Sequence, residues 1–292
     1  MAIRNRAAVS SGDVAALPPL PHESPSAGAP AVPCIALQST RDRARSALRV
    51  AYPRRRARLV LVRGGDELTE TLRSTLVDAV VVDLGGPVDE TDHAFALARE
   101  FPSLPFIGLA PVRGADGPAL AAAAAHDFAD VIVEGVDEGV VRALLMPLMF
   151  SPRFAAALWN PPPALQLNAA LQLATWRAII ARGGRPVRTS DIASALGVTR
   201  EHLSRSFAAA GAPNLKRVID LVRLLAAAEL SKNPGYDVRD VARVLGFASP
   251  SHLSSTAQRI IGTKPVSLAR LRAVDLFDRF GQGRGRSRSR DD

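Results

Sequence analysis

Cysteine and aromatic residues are scarce in this chain of 292 residues. The one cysteine, Cys34, excludes an internal disulfide and a metal site built from cysteines alone, so a reducing cytoplasm is the expected compartment. Only 5% of the residues are aromatic although 47% are hydrophobic. The cores must therefore be built from Ala, Val and Leu, which favours helices and parallel strands over an antiparallel sandwich.

Long apolar runs are also missing. No stretch reaches the roughly 18 residues of a membrane span, and no apolar stretch follows Arg4 and Arg6 as it would in a secretory signal. We therefore expect no membrane partner. The length suits about two domains. The net charge of +9 suits a polyanionic partner, and a chain that binds DNA in the cytoplasm is expected at the nucleoid.

Three segments of biased composition divide the chain. Residues 1–31 hold five prolines among Ser, Ala and Gly, which predicts a disordered leader. Residues 151–163 contain Pro152 and a triple proline, which predicts a stiff linker between domains. Residues 281–292 carry four arginines spaced by Gly and Ser, which predicts a disordered tail with a sequence-independent, salt-screened attraction to phosphates.

Residues 32–150 alternate short apolar runs with predicted helices. The runs are Cys34–Leu37, Leu59–Val62, Val80–Val82, Phe106–Leu109 and Val131–Val133. Continuous apolar runs indicate strands that are buried on both faces, hence a parallel sheet. Five such units predict a doubly wound α/β domain with a crevice at the carboxyl ends of its strands.

One pattern occurs twice between residues 191 and 271. Each copy has an alanine four residues before a glycine, Gly197 or Gly246, and then a hydroxyl residue, Thr199 or Ser249. Alanine lets two helices cross closely, glycine supplies a positive φ at the turn, and the hydroxyl caps the next helix. Either copy alone fits an ordinary helical hairpin. Two copies 49 residues apart predict two helix-turn-helix motifs with recognition helices about one DNA turn, roughly 34 Å, apart.

Several of these residues carry a resemblance to a known family. They are Leu196–Thr199, Leu203–Phe207, Val241-Ala242, Gly246-Phe247, Ser251 and the closing Gly262–Pro265. Over roughly residues 165–272 the chain resembles the AraC/XylS DNA-binding domain. The resemblance implies an all-α domain, taken as 164–280, with two helix-turn-helix subdomains joined by a long helix near Asn214–Leu230. It also implies a bacterial transcription regulator that binds double-stranded DNA, and we expect no cofactor.

Helical geometry selects the predicted DNA contacts. In the first motif they are Thr199, Arg200, Glu201, Ser204 and Arg205; in the second they are Ser249, Ser251, His252, Ser254, Ser255 and Arg259. Arg205 is the candidate for a bidentate contact to guanine, with a phosphate contact as the alternative. Glu201 either accepts from a cytosine amino group or only orients a neighbouring arginine. Because Ser255 and Ala257 replace a basic and an aromatic residue of the family, we expect the second helix mainly to position the protein.

The α/β segment resembles a response-regulator receiver domain of flavodoxin-like fold. The resemblance rests on Asp78–Leu84, Pro87 and Ala129–Ile132, and it places Asp83 at the position of the phosphorylated aspartate. Phosphoryl transfer there needs an acidic pair to hold Mg²⁺, a hydroxyl and a lysine. The corresponding positions hold Gln38 and Ser39, Ala110, and Glu134.

These departures predict a degenerate receiver that binds no metal and is not phosphorylated. Its expected role is homodimerisation through the α/β domain or the input of another signal, with any small-molecule effector unknown. The leading hypothesis is a sequence-specific transcription regulator and not an enzyme. The alternatives are a phosphorylation-dependent response regulator, an enzyme or phosphotransfer module in residues 32–150, and a nucleoid-type DNA binder of low specificity. The five histidines are too scattered along the sequence to predict a metal site.

Overall fold

The computed structural model describes residues 32–111 and 117–288. A parallel sheet comes first, with strands β1 (Cys34–Gln38), β2 (Arg58–Val62), β3 (Ala79–Asp83), β4 (Phe106–Ala110) and β5 (Asp130–Val133) in the order β2-β1-β3-β4-β5. The helices between and after the strands are α1 (Asp42–Ala51), α2 (Gly65–Ser74), α3 (Val88–Glu100), α4 (Gly117–Ala125) and α5 (Glu138–Leu145). This strand order is that of the flavodoxin-like, receiver-type fold, so the predicted fold class is confirmed.

The two faces of the sheet have separate cores. One side is covered by α1 and α5, which bury Leu48 and Leu145 against Ile35 of β1. The other side is covered by α2, α3 and α4, and this core continues without a break into the C-terminal helices. The three inner strands β1, β3 and β4 are fully buried, as their continuous apolar runs predict.

The rest of the chain is helical. Its helices are α6 (Phe150–Ala157), α7 (Ala170–Ile180), α8 (Thr189–Ala195), α9 (Arg200–Phe207), α10 (Leu215–Leu230), α11 (Val238–Val244), α12 (Pro250–Ile261) and α13 (Ala273–Arg288). The connecting helix α10 has twelve buried residues, which makes it the axis of this region. Short 3-10 helices stand at Pro163–Leu165, Ala209–Gly211 and Pro265–Arg270.

The predicted linker at 151–163 is wrong in its first half. Residues 150–157 form α6, and Phe150, Ser151 and Phe154 are buried. Apolar side chains on successive turns outweigh Pro152, which is tolerated in the first turn of a helix because its missing N–H would have no partner there. The chain is extended at Pro162, and the first 3-10 helix begins at Pro163. That these prolines form a stiff linker stays a prediction.

Two further expectations need correction. The domain taken as 164–280 has its first α-helix only from Ala170, and the buried face of that helix is Gln172, Thr175, Trp176, Ile179 and Ile180. The predicted disordered tail is helical as far as Arg288, because Leu276 and Phe280 anchor α13 in the core and the helix continues from there. Residues 289–292 and the predicted leader at 1–31 lie outside the described residues.

A buried carboxylate joins the sheet to the helical region. Asp78, fully buried just before β3, accepts hydrogen bonds from the backbone N–H of Cys34 at 2.7 Å and of Ser151 at 2.9 Å. It also accepts one from Nη2 of Arg185, at 2.6 Å. Arg185 precedes α8, the first helix of the first helix-turn-helix. The carboxylate therefore ties strand β1, helix α6 and the DNA-binding region together at one point.

A second contact fixes the other helix-turn-helix. The turn between α10 and α11 lies against the ends of α2 and α3: the Tyr236 hydroxyl donates to the Leu72 carbonyl at 3.0 Å, and the Gly235 N–H donates to the Glu100 carbonyl at 3.0 Å. A Cβ on Gly235 would lie 2.5 Å from the Phe101 ring, so this close approach requires glycine. Both motifs are thus attached to the α/β layer.

Membrane-spanning potential is low in the described residues. No single helix among them is long and apolar enough to cross a bilayer. One pair, α5 and α6, has the length and composition together but bends by 52° between the two helices.

The Asp78–Arg185 pair gives the first prediction. Arg185→Ala should lower the free energy of unfolding by about 3 kcal/mol, because it leaves the Asp78 carboxylate buried without its cation. Urea denaturation followed by far-UV circular dichroism measures the change. Arg188→Ala is the matched control, since Arg188 is exposed and makes no ion pair among the described residues; it should cost less than about 0.5 kcal/mol. Equal losses for the two variants would show that the pair does not hold the regions together.

Candidate nucleic-acid interface

The turns of both helix-turn-helix motifs have the local structure that the sequence predicts. Gly197 and Gly246 adopt φ values of 67° and 62°, and at Gly246 a Cβ would also lie 2.7 Å from Pro186. Thr199 Oγ1 accepts a hydrogen bond from the backbone N–H of His202 at 3.1 Å. Ser249 Oγ accepts the equivalent bond from His252 at 3.0 Å. The N-terminal ends of α9 and α12 are therefore capped by side chains.

Both recognition helices bury one face and expose the other. In α9 the buried residues are Leu203 and Phe207, whereas the predicted contact residues Arg200, Glu201, Ser204 and Arg205 are exposed. In α12 the buried face is Leu253, Thr256, Ala257, Ile260 and Ile261, and Ser251, His252, Ser254, Ser255 and Arg259 are exposed. The α/β layer covers neither face, because these side chains are exposed in the folded chain.

The two exposed faces border one concavity of about 1130 Å³. Six of the predicted contact residues line it, namely Arg200, Glu201, Ser204, Arg205, His252 and Arg259. Thr199 and Ser249 act as caps, and Ser251, Ser254 and Ser255 lie on α12 outside this lining. The lining carries six basic side chains and two acidic ones, so its charge favours a polyanion.

Further residues in the concavity were missed from the sequence. They are Pro186–Ser190, which enter α8, and Lys216, Ile219, Asp220 and Arg223 on α10. The four α10 residues could have been found from their spacing in the sequence, because positions 216, 219/220 and 223 lie on one face of a helix. Arg188, Arg205 and Lys216 have no ion-pair partner in the part of the chain that the structure describes, so their charges are free for a ligand.

Two arginines of the concavity are held in place. Arg259 Nη2 donates to Asp220 Oδ2 at 2.8 Å, and Asp220 is buried on α10. Arg223 donates to the Leu245 carbonyl at 3.0 Å, and its guanidinium lies 3.8 Å from the Phe247 ring centroid. Burial lowers the pKa of Arg223 below its usual range. These arginines are oriented from α10 and are not free to follow a ligand.

Glu201 is paired to its neighbour. Arg200 Nε lies 3.2 Å from Glu201 Oε1. A hydrogen bond from its own backbone N–H, followed by the Arg200 guanidinium, holds the pKa of Glu201 below its usual range. Of the two roles expected for Glu201, the orientation of a neighbouring arginine is the one that this geometry favours in the absence of DNA.

A second cluster surrounds Asp83 at the carboxyl end of β3. Arg41, in the loop after β1, bridges the buried carboxylates of Asp83 and Glu134, and its Nε donates to Asp83 Oδ2 at 2.8 Å. Ser39 Oγ donates to the same oxygen at 2.5 Å, and the Gly85 N–H donates to Asp83 Oδ1 at 3.0 Å. The hydrogen bond to Asp83 raises the pKa of Arg41.

Arg41 is the residue of this cluster that sequence reasoning missed. Gly85 leaves room for it, since a Cβ there would lie 3.0 Å from the guanidinium carbon of Arg41. Ala110, which replaces the expected hydroxyl, is buried at the end of β4. No group of three or more His, Cys, Asp and Glu side chains within residues 32–111 and 117–288 could hold a metal ion. The Arg41 guanidinium lies against both carboxylates at this edge of the sheet.

Comparison with known proteins bears on both halves of the chain. A search of curated proteins finds no match. Among solved structures, the chain is similar to the signal receiver domain of an HD domain-containing protein from Pseudomonas fluorescens Pf-5, at 16% identity, TM-score 0.37, and coverage of 46% of this chain and 96% of that one. It is also similar to full-length FixJ from B. japonicum, at 12% identity and TM-score 0.37, covering 77% and 96%.

A third similar structure is RcsB from Salmonella enterica serovar Typhimurium, bound to the rprA promoter in the presence of phosphomimetic BeF3-, at 16% identity, TM-score 0.32, and coverage of 64% and 97%. The family model described as a helix-turn-helix domain matches residues 192–270, from α8 to the last 3-10 helix. The chain therefore contains a helix-turn-helix domain of the AraC type at its C-terminal side, preceded by a sheet of receiver-like fold.

Proposed function

We propose that this protein is a sequence-specific transcription regulator that reads duplex DNA with α9 and α12 in the major groove. The observation that carries the proposal is the single basic concavity bordered by both recognition helices. Two modules on one rigid body, each presenting the N-terminal half of a capped helix, suit successive major grooves on one side of a duplex. Binding to chromosomal DNA would place the protein at the nucleoid.

The two helices contribute unequally to this function. Arg205 is exposed on α9 and unpaired among the described residues, so it can reach a base edge and donate two hydrogen bonds to guanine. On α12 the Ser255 hydroxyl donates to the His252 carbonyl of its own helix at 3.1 Å, and Arg259 is held by Asp220. We assign base readout mainly to α9, and positioning on the phosphate backbone mainly to α12, Arg188 and Lys216.

Substitution of one residue on each helix tests this assignment. Arg205→Ala should remove about 1–3 kcal/mol of discrimination at one base pair, since it deletes a bidentate contact. Ser255→Ala is the matched control and should change affinity by less than about tenfold, because one weak contact is lost. Selection of bound sequences from a random duplex library measures the discrimination. Competition binding at fixed salt measures the affinity. A larger effect of Ser255→Ala would reverse the assignment, and wild-type selection that returns no shared sequence would favour a nucleoid-type binder.

For the α/β layer we propose a pseudo-receiver that works without phosphorylation. The support is the ion-pair cluster in which Arg41 bridges Asp83 and Glu134, and Arg43 adds a second cation 3.3 Å from Glu134. A receiver needs several carboxylates to hold Mg²⁺ and a cationic lysine to hold the phosphate. Here Gln38 and Ser39 supply no charge, and Glu134 would repel a phosphoryl group. The carboxylates of Asp83 and Glu134 are balanced by arginines of the same chain. The layer is therefore stable without a bound metal ion or phosphoryl group.

Treatment with acetyl phosphate and Mg²⁺ tests the pseudo-receiver. Intact-mass spectrometry should show no added phosphoryl group on the wild-type protein, because the two carboxylates that Mg²⁺ meets there, Asp83 and Glu134, are already paired with arginines. The variant Arg41→Gln should behave in the same way, since it frees Asp83 without creating metal ligands. Stoichiometric phosphorylation of the wild type would restore the alternative of a phosphorylation-dependent response regulator. Phosphorylation of the variant alone would show that Arg41, rather than the missing ligands, blocks the chemistry.

We also propose that the α/β layer forms the contact between two copies of the chain. Four apolar side chains are exposed side by side along the end of β5 and helix α5: Val133, Val136, Val140 and Leu144. The i,i+4 ion pair of Glu138 and Arg142, at 3.7 Å, lies on the other side of α5, where Arg142 donates to the Ala51 carbonyl of α1. The apolar side of α5 is therefore uncharged and can pack on its own copy under a two-fold rotation, as an isologous dimer requires.

The oligomeric state of a charge-insertion variant tests the dimer. The wild-type chain should be dimeric at micromolar concentration, and Leu144→Glu should make it monomeric, because each dimer would bury two extra carboxylates near its axis. Val88→Glu is the control, since Val88 is exposed on α3 across the sheet from α5. Analytical ultracentrifugation distinguishes the states. A monomeric wild type, or dissociation by both substitutions alike, would contradict the proposal.

A further inference from the structure

A second arginine-rich surface is formed by residues that do not line the DNA-facing concavity. It is formed by the C-terminal half of α1, the loop after it and the edge strand β2, with Arg49, Arg54, Arg55, Arg56 and Arg58 all exposed. The first four make no ion pair in the described part of the chain, although eight arginines lie between residues 41 and 58. Neither base readout nor the Asp83 cluster uses these five side chains.

The surface is concave. Arg49, Arg54 and Arg58 line a cavity of about 720 Å³ whose other walls are Tyr52, Pro53, Ala57, Leu59 and Leu61. No acidic side chain is among these residues, all of which the structure describes. Arg58 is anchored at one end, because its Nη2 lies 3.5 Å from Cys34 Sγ. The cavity is therefore cationic at its rim and apolar along the edge strand.

A buried hydroxyl lies beneath this wall. Tyr52 is 2% exposed, and its hydroxyl is closed to solvent and makes no hydrogen bond with the residues that the structure describes. Burial raises the pKa of Tyr52 to about 12, so the hydroxyl carries its proton at neutral pH and is a donor. A buried donor without an acceptor costs about 1–3 kcal/mol, and an acceptor that displaced the lining and reached the hydroxyl would recover that cost.

We propose that this cavity is a binding site for the phosphate group of a small phosphorylated ligand. Arg49, Arg54 and Arg58 would surround the phosphate, the Tyr52 hydroxyl would donate to one of its oxygens, and Leu59 and Leu61 would contact the rest of the ligand. Guanidinium groups bind phosphate through paired N–H donors. A phosphate dianion neutralises more of these charges than a carboxylate does, and the volume leaves room for an organic body beside it.

The edge of the sheet favours a small ligand over the backbone of a duplex. The hydroxyl of Tyr52 lies beneath the cavity lining and is closed to a water-sized molecule, so an acceptor reaches it only by entering the cavity and displacing that lining. The phosphates of a duplex follow a convex surface and cannot enter in this way. The site is also next to the Asp78 junction. Cys34, which Arg58 contacts, donates its N–H to Asp78, and Asp78 holds Arg185. The ligand would bind one strand away from the contact that fixes the DNA-binding region.

Calorimetric titration of the full chain with inorganic pyrophosphate, and separately with inorganic phosphate, tests the site at constant ionic strength. Saturable binding of one pyrophosphate per chain is expected. Arg54→Gln and Arg58→Gln should each weaken it about tenfold, because each removes a charge-assisted hydrogen bond. Arg270→Gln, an exposed arginine of the helical region, should leave it unchanged.

The variant Tyr52→Phe tests whether binding depends on a specific hydrogen bond or only on the positive charge of the surface. It keeps the ring, the net charge and the packing, and it removes an unpaired hydroxyl, so the folded variant should be at least as stable as the wild type. Its affinity for pyrophosphate should fall about fivefold to tenfold, the value of one hydrogen bond to a charged group. The proposal is overturned by the absence of saturable binding, by equal losses with Arg270→Gln, or by unchanged binding in Tyr52→Phe. It is also overturned if the arginine substitutions weaken duplex DNA binding and leave pyrophosphate binding intact, which would make the surface a DNA contact.

Discussion

The burial of the Asp78 carboxylate is the constraint on which the arrangement of the molecule depends. A carboxylate in a core is tolerated only when hydrogen bonds and a cation compensate for its lost hydration. Here the compensation comes from three separate parts of the chain: the start of β1, the start of α6 and Arg185. The carboxylate is satisfied only when the sheet and the helical region are together. One buried charge therefore makes the relative position of the two regions part of the folded state.

This constraint bears directly on DNA recognition. The residues after Arg185 turn at once into Pro186–Ser190, which form one wall of the basic concavity. On the other side, Tyr236 and Gly235 attach the second motif to α2 and α3. A ligand with two points of contact gains affinity when both are fixed in advance, because less conformational entropy is lost on binding. The α/β layer thus holds the two helix-turn-helix motifs in fixed positions relative to each other.

Local features of the fold could be predicted from the sequence, and long-range ones could not. The five strands follow from continuous apolar runs, and the capped turns at Gly197 and Gly246 follow from residue types with narrow backbone preferences. Arg41, Asp78 and Asp220 were missed because their roles depend on partners 39 to 107 residues away, as the Asp220–Arg259 and Asp78–Arg185 pairs show. The prolines of residues 151–163 predict a linker, whereas the i,i+4 spacing of Phe150 and Phe154 places both side chains on the buried face of helix α6. The exposed serines of α12 were placed correctly on its surface, but their contact with DNA stays a prediction.

The arginines of this chain divide into two groups with different physical roles. Arg41, Arg185 and Arg259 each pair with a buried carboxylate. Loss of the arginine would leave that carboxylate buried without a cation, which destabilises the fold. Others, such as Arg188, Arg205 and Arg54, lie at the surface without a partner among the described residues and repel one another. Such uncompensated charge destabilises the compact state, an effect that salt or a bound polyanion relieves. Because these unpaired arginines are concentrated on two concave surfaces, anion binding relieves the repulsion where it is strongest. The net charge of +9 therefore favours the binding of anionic partners.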